Sequence, residues 1–316
     1  MKKFLNRLFF FCLNLTLFLI IPILLLSEYD NTDRFTSNNS NILRIREASK
    51  LQNLDLLFLG NSYGYSGINT YTLDSSKIQS FNLGIASAGV DFYDLIMEDY
   101  LSHVDSLPAR VMILVSPMNF SSMSDKWEKY RIHRYLRNPV SNWKLGVKYN
   151  CWSIMFQLYR ESLKKGVHNI LNDYRESVTP DSLNWHKGFV PNSHVFQLLD
   201  LPAEEQKYKK LKDDKFEPSQ IEVLLNLANR FEAKGADVTF FEVPTNLIAN
   251  YFSEDYLRAY EQGIQSLSQD YELLRIPTNL LTSDCYRDID HMNTRGSIIV
   301  TQQIIRFIQS NNGAVN

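Results

Sequence analysis

The apolar positions along this chain fall into three regimes. In the first, Leu8 to Ser27, sixteen of 20 residues are apolar and none is charged; the exceptions are Asn14, Thr16, Pro22 and Ser27. At a rise of about 1.5 Å per residue the run is roughly 30 Å long, the thickness of a bilayer's hydrocarbon core. No polar face recurs at a 3.6 period, which argues against a buried core helix. Lys2, Lys3 and Arg7 precede the run, and Glu28, Asp30 and Asp33 follow it. Positive charge stays in the cytoplasm, so the pattern predicts a single membrane-spanning anchor with the rest of the chain outside. A cleaved signal peptide shares the pattern, but with an apolar region of about 7–15 residues and a small-x-small cleavage site. The greater length here and the sequence Leu-Leu-Leu-Ser-Glu-Tyr favour an uncleaved anchor. Cys12 lies inside the span without a lipoprotein-type flank.

The second regime begins after a polar stretch, 28–45, which reads as a tether. Short apolar runs then alternate with helical spacing. Leu54–Leu59, Ile78–Leu83, Val111–Val115, Val238–Val243 and Leu273–Ile276 read as strands, the first two ending in glycine. Helices are predicted over Asp91–His103, Ser219–Lys234, Ser253–Leu267 and Gly296–Gln309. The second of these has Pro218 at its start and Gly235 placed for its C-terminal cap. Alternation of this kind predicts an α/β sandwich with a mostly parallel sheet, whose ligands sit beyond the carboxyl ends of the strands.

The third regime interrupts the second. Residues 121–217 are rich in Trp, Tyr, Lys, Arg and Asn and show no strand–helix alternation. They read as a largely helical insertion over one edge of the sheet, with a helix or two in Lys144–Asn172 and a solvated charge run at Lys207–Lys215.

Composition narrows the function classes. The chain has 316 residues, 44% hydrophobic, and 40 of them are Phe, Tyr or Trp, too many for a long disordered protein. Lys+Arg total 33 against 35 Asp+Glu, which excludes a wholly basic, nucleic-acid-attracting surface. With Lys2, Lys3 and Arg7 set aside, the formal charge of -2 becomes about -5 for the remainder. Three cysteines make no disulfide framework; Cys151 and Cys285 pair or stay as separate thiols.

Chemistry gathers at the strand ends. The first strand runs into Gly60-Asn61-Ser62-Tyr63-Gly64, where a serine follows a tight turn. It is placed either as a nucleophile or as a helix N-cap. The second ends in Asn82-Leu83-Gly84-Ile85-Ala86-Ser87-Ala88-Gly89, whose small residues permit close backbone approach to a ligand. The third ends in Ser116-Pro117-Met118-Asn119-Phe120, where Asn119 offers an amide donor or merely shapes a turn. Before the last helix stands Asp288-Ile289-Asp290-His291. A carboxylate three residues before a histidine accepts the Nδ1 proton and leaves Nε2 as a base. His103, His133, His168, His186 and His194 have no such context. Asp284, Asp288, Asp290 and His291 form a weak metal set without a supporting histidine or cysteine cluster, so no metal or cofactor is expected.

The order of these four blocks resembles that of the SGNH (GDSL-like) hydrolases, over about 53–120 and 237–309. The resemblance implies a flavodoxin-like three-layer α/β/α sandwich and esterase, lipase or carbohydrate O-acetyl esterase or transferase chemistry. It makes Ser62 the nucleophile and Asp288 and His291 the acid and base. It gives the oxyanion to the backbone of Ser62, Gly84 or Ser87 and to the Asn119 side chain. Tyr63 through Asn69 and His291 through Gly296 are similar to a membrane-anchored branch associated with bacterial envelope polysaccharides. There are departures. Asn61 replaces the usual aspartate, Tyr63 a leucine and Ser87 an oxyanion-hole glycine, and Pro117 and Phe120 stand in the third block for a glycine and an aspartate. Asp290 is an alternative acid, but being adjacent to His291 it is expected to point elsewhere.

The resemblance thus implies an extracytoplasmic, membrane-anchored serine esterase or O-acyltransferase. Its partners are an acylated, O-acetylated envelope glycan or another ester, the membrane through residues 8–27, and a membrane acyltransferase; nucleic acid is not among them. Two other classes remain: a non-catalytic glycan-binding or scaffold protein, which the altered third block favours, and an accessory subunit of a membrane acyltransferase that relays an acyl group it cannot load alone.

Overall fold

The computed structural model describes residues 4–7, 9–11, 14, 40–86, 88–121, 185–197 and 201–312. The chain divides into two units, one of residues 1–40 and 142–183, the other of 41–141 and 184–316. The first contributes only short helical pieces to the described residues. The predicted span 8–27 lies almost wholly outside them, and among the described residues no helix is long and apolar enough to cross a membrane. The helix predicted within Lys144–Asn172 and Cys151 also lie outside them. Cys285 is a buried free thiol.

The second unit is built on a five-stranded, all-parallel sheet: β1 Leu56–Gly60, β2 Ser80–Gly84, β3 Arg110–Val115, β4 Asp237–Glu242 and β5 Glu272–Arg275. All five residues of β1 and of β2 are buried; β1 therefore reads as an unbroken apolar run, whereas β2 also buries the polar Ser80 and Asn82. The order is β2-β1-β3-β4-β5, the doubly wound order known from flavodoxin. The chain winds outward from β1 in both directions, so right-handed crossovers send the connecting helices to opposite faces. The helix contacts agree. On one face α4 (Val90–Leu101) packs on α6 (Ser219–Glu232), and α6 on α8 (Glu254–Asp270), which follows the one-turn α7 (Asn246–Ala249). On the other, α9 (Thr294–Asn312) packs on α2 (Ser62–Gly67) and α3 (Thr70–Ser75). The fold class is α/β. Gly235 ends the turn after α6 at φ +90°, in the left-handed region expected of it.

Two expectations change, and the charge run, exposed at its lysines as expected, gains a structure. Helix α1, Ser40–Lys50, begins inside the stretch expected to be tether, and it buries Arg44, Ile45 and Ala48. The charge run at Lys207–Lys215 is the end of α5 (Leu201–Tyr208) and a 3₁₀ turn, Lys209–Asp213, anchored by buried Leu211. Within the insertion, 185–197 is not helical. His186 and Phe189 close a tight turn, and the carbonyl of Lys187 accepts the Asn82 N–H at 2.8 Å, covering the free edge of β2. From there the segment continues as a strap. Val190 N–H donates to Tyr65 O (2.9 Å), Asn192 exchanges bonds with Thr294, and Phe196 N–H donates to Tyr286 O (2.8 Å).

The turn depends on Gly188. Its φ is +86°, and a Cβ there would lie 1.7 Å from the Asn82 carbonyl oxygen. Gly188→Ala is therefore expected to destabilise the protein by at least about 1–3 kcal/mol. Differential scanning calorimetry checks this as a drop of several degrees in the unfolding midpoint.

Candidate active site

The ends of β1 and β2 are level: Gly60 pairs with Gly84 in the ladder. The residues that follow them therefore share one rim of the sheet. After Gly60 the chain enters α2. The N-cap is Asn61, whose Oδ1 accepts the Tyr63 N–H at 3.0 Å. That answers the N-cap alternative for Ser62. Asn61 satisfies the helix end, and the Ser62 hydroxyl is left for another partner. The N–H of Ser62, in the first turn of α2, has no acceptor among the described residues.

That partner is His291, 229 residues away: its Nε2 lies 2.8 Å from Ser62 Oγ. The ring is held from the other side. Asp288 Oδ1 accepts the N–H groups of Asp290 (3.1 Å) and His291 (2.7 Å), and it lies 3.0 Å from His291 Nδ1. The carboxylate thus makes the turn and orients the imidazole together. The loop is closed by the Arg287 N–H on the His291 carbonyl (2.9 Å) and by a bridge between Tyr286 and Met292. Arg287 Nε lies 3.2 Å from Asp288 Oδ2. The Tyr63 ring is tilted against the His291 ring, with centroids 5.4 Å apart. A carboxylate at Nδ1 fixes the proton there, so Nε2 is the basic nitrogen that faces the serine.

The electrostatics follow from this packing. Burial pushes the Asp288 carboxyl up, but the hydrogen bond and charge of His291, with Asp290 and Arg287, outweigh it and hold it well below the usual carboxylate range. Burial lowers the His291 pKa, and Asp290 and Asp288 more than offset it, raising the imidazole to about 10. Burial raises the Asp290 carboxyl.

The expected oxyanion donors are treated unevenly. Gly84 is a correction. Its N–H donates to Asn82 Oδ1 (3.0 Å), so it is not free for a ligand. The residue is small for another reason: a Cβ there would lie 2.4 Å from the Tyr65 nitrogen, and α2 could not pack so close. Ser87 lies outside the described residues. Asn119 is buried, with Oδ1 accepting from Ser116 Oγ (2.9 Å) and Nδ2 donating to Tyr93 Oη (2.9 Å). The Tyr93 oxygen also bonds the backbone at Asn61, which connects the third block to the first. One hydrogen of the Asn119 amide is committed to Tyr93, and the other has no acceptor among the described residues.

Asp290 is the second correction. It does not point elsewhere: its Oδ1 lies 2.5 Å from His291 Nδ1. Asp288, Asp290 and His291 offer ligand atoms within 4.8 Å of one another, whereas Asp284, grouped with them in the sequence, pairs with Arg295. His291 Nδ1 and Nε2 already face a carboxylate and a hydroxyl, an arrangement suited to moving a proton.

Sequence reasoning missed three supporting residues. Tyr93 sits in a helix with ordinary apolar spacing, so nothing marked its hydroxyl. Arg44 looked like tether, yet its Nη1 donates to Gly84 O (2.7 Å) and its guanidinium lies 5.0 Å from the Tyr65 ring. Asn82 is fully buried. Its Nδ2 donates to Gly64 O (2.8 Å) and Ile68 O (3.1 Å) while Oδ1 accepts from Gly84. The signal was a polar residue inside an otherwise apolar strand.

No protein-family model matches the chain, and no curated protein matches it. Solved structures do show likenesses. A Streptococcus pneumonia protein assigned as a platelet activating factor is 10% identical at TM-score 0.43, over 85% of this chain and 92% of that one. A Bacteroides fragilis protein assigned as an acylhydrolase is 10% identical at TM-score 0.38, over 84% and 94%. A gut microbial diltiazem-metabolizing enzyme is 13% identical at TM-score 0.40, over 81% of this chain and 47% of that one. Similarity at this level bears on the chain trace and carries nothing about chemistry.

The Asn82 side chain serves three backbone groups, and truncating it strands them. Asn82→Ala is expected to cost at least about 2 kcal/mol. A thermal melt followed by circular dichroism should fall by about 4–8 °C.

Proposed function

We propose that this chain is an SGNH-type serine esterase or O-acyltransferase that acts on an acylated, O-acetylated envelope glycan. The observation that carries the reading is the line Ser62 Oγ, His291 Nε2, His291 Nδ1, Asp288 Oδ1, with successive gaps of 2.8 Å and 3.0 Å across the ring. The four sequence blocks in family order support it.

The chemistry runs as acyl transfer through a serine ester. His291 Nε2 takes the proton of Ser62 as Oγ bonds the ester carbonyl carbon. The oxygen that gains charge meets the N–H of Ser62 and the remaining amide hydrogen of Asn119. The carbon–oxygen bond to the leaving sugar then breaks, and the sugar oxygen takes the proton from His291. Water or another sugar hydroxyl attacks the acyl-serine, His291 takes its proton, and the Ser62 bond breaks with the proton returned to Oγ. The acceptor decides between hydrolase and transferase. The apolar run 8–27 and the charges flanking it support a single-pass anchor with this unit outside the cytoplasm.

The test is ester turnover by the full chain in detergent micelles, with nitrophenyl acetate as the probe. Ser62→Ala and His291→Ala are each expected to lower kcat by at least about 1000-fold while leaving the melting temperature near that of the parent. Asn119→Ala is expected to lower kcat by about 100-fold, the usual effect of losing one oxyanion donor. Unchanged turnover in Ser62→Ala would refute the reading.

A further inference from the structure

Two carboxylates reach one ring nitrogen, and they do so differently. Asp288 Oδ1 makes the hydrogen bond to His291 Nδ1 at 3.0 Å. Asp290 Oδ1 is closer, at 2.5 Å, but it meets the ring as a charge contact outside regular hydrogen-bond geometry. Asp290 is only 9% exposed. A buried carboxylate oxygen with no donor is costly unless a positive charge stands against it.

We infer that Asp290 is a positioning residue that acts on His291 through space: it stabilises the imidazolium formed when Ser62 loses its proton and sets the pH at which His291 becomes a free base. The inference rests on the proposed role of His291 and adds a second carboxylate to it.

The surroundings leave Asp290 this role. Ser62 and Tyr63 face His291 from α2, and Asp288 faces it from its own loop. Arg287 bears on both carboxylates and is itself bonded by Tyr65. Tyr208 acts on Tyr63. Among these groups the imidazole is the cation in contact with Asp290 Oδ1. The elevation of His291 to about 10, against a burial that lowers it, has the charge of Asp290 as its largest raising influence.

Removing that charge has two effects of opposite sense. His291 loses its proton at lower pH, so the acidic limb of kcat/KM moves down. The imidazolium in the transition state is less favoured, so the plateau falls. Simple loss of structure would lower the plateau and leave the limb in place. The decisive experiment is an NMR titration of the full chain labelled with ¹⁵N-histidine, in detergent micelles. The His291 signal is assigned by its loss in His291→Gln, and the parent is compared with Asp290→Asn and Asp290→Ala. The expected result is a midpoint lower by about one to three units in both variants, the usual effect of a facing opposite charge. Kinetic titration should show the acidic limb moving the same way. An unmoved midpoint or an unmoved limb would overturn the inference. Should neither variant fold, the parent decides: a midpoint at or below the ordinary histidine value of about 6.5 overturns the inference, and one well above it supports it. The titration is read on the ring itself. A protein that shows the shift but cleaves no ester would refute the proposed function and leave this inference standing.

Discussion

The geometry around Ser62 depends on the carboxamide of Asn82. This side chain is fully buried between β2 and α2, and all its bonds go to backbone. It holds the carbonyls of Gly64 and Ile68, near the end of a helix of only six residues, and it receives the N–H of Gly84 at the end of its own strand. So short a helix has little stability of its own. It exists because Asn61 caps its start, Asn82 binds its end, and Gly84 is small enough to let it approach. The position of the Ser62 hydroxyl follows from those three constraints.

The second half of the site comes from the far end of the chain. A parallel sheet makes this natural, because every strand delivers the loop after it to the same rim. The loop from Tyr286 to Met292 is shaped by Asp288, which serves two N–H groups and the imidazole with one oxygen. The strap 185–197 then joins the two halves, touching β2, α2, Thr294 and Tyr286 in turn through backbone bonds. A segment of the apparent insertion is thus part of the support of the site.

Much of this was legible in the sequence. β1 and β3 were visible because burial leaves an unbroken apolar run; β2, β4 and β5 showed shorter runs, interrupted by Asn82, by Thr239 and by the exposed ends Glu272 and Arg275. The long helices α6, α8 and α9 showed their buried stripes. Ser62, Asp288 and His291 stood out because each follows or precedes a regular element at a characteristic spacing. What stayed hidden depended on short-range backbone bonding. The helices α2 and α3 are rich in Gly, Ser, Thr and Tyr and carry no apolar period. Gly84 looked like an oxyanion donor, but an asparagine two residues earlier takes its N–H by a common local turn. Asp290 looked displaced by its adjacency to His291, yet the tight turn at Asp288 brings both carboxylates to the same nitrogen. The strap was unreadable because its backbone contacts leave no mark on residue type.

The central claim is that Ser62 is a nucleophile activated by His291. Its most direct measurement is the intact mass of the full chain after exposure to a fluorophosphonate, followed by peptide mapping. The account predicts one phosphonyl adduct, located on Ser62 and absent from Ser62→Ala. No adduct, or an adduct that persists in Ser62→Ala, would contradict it.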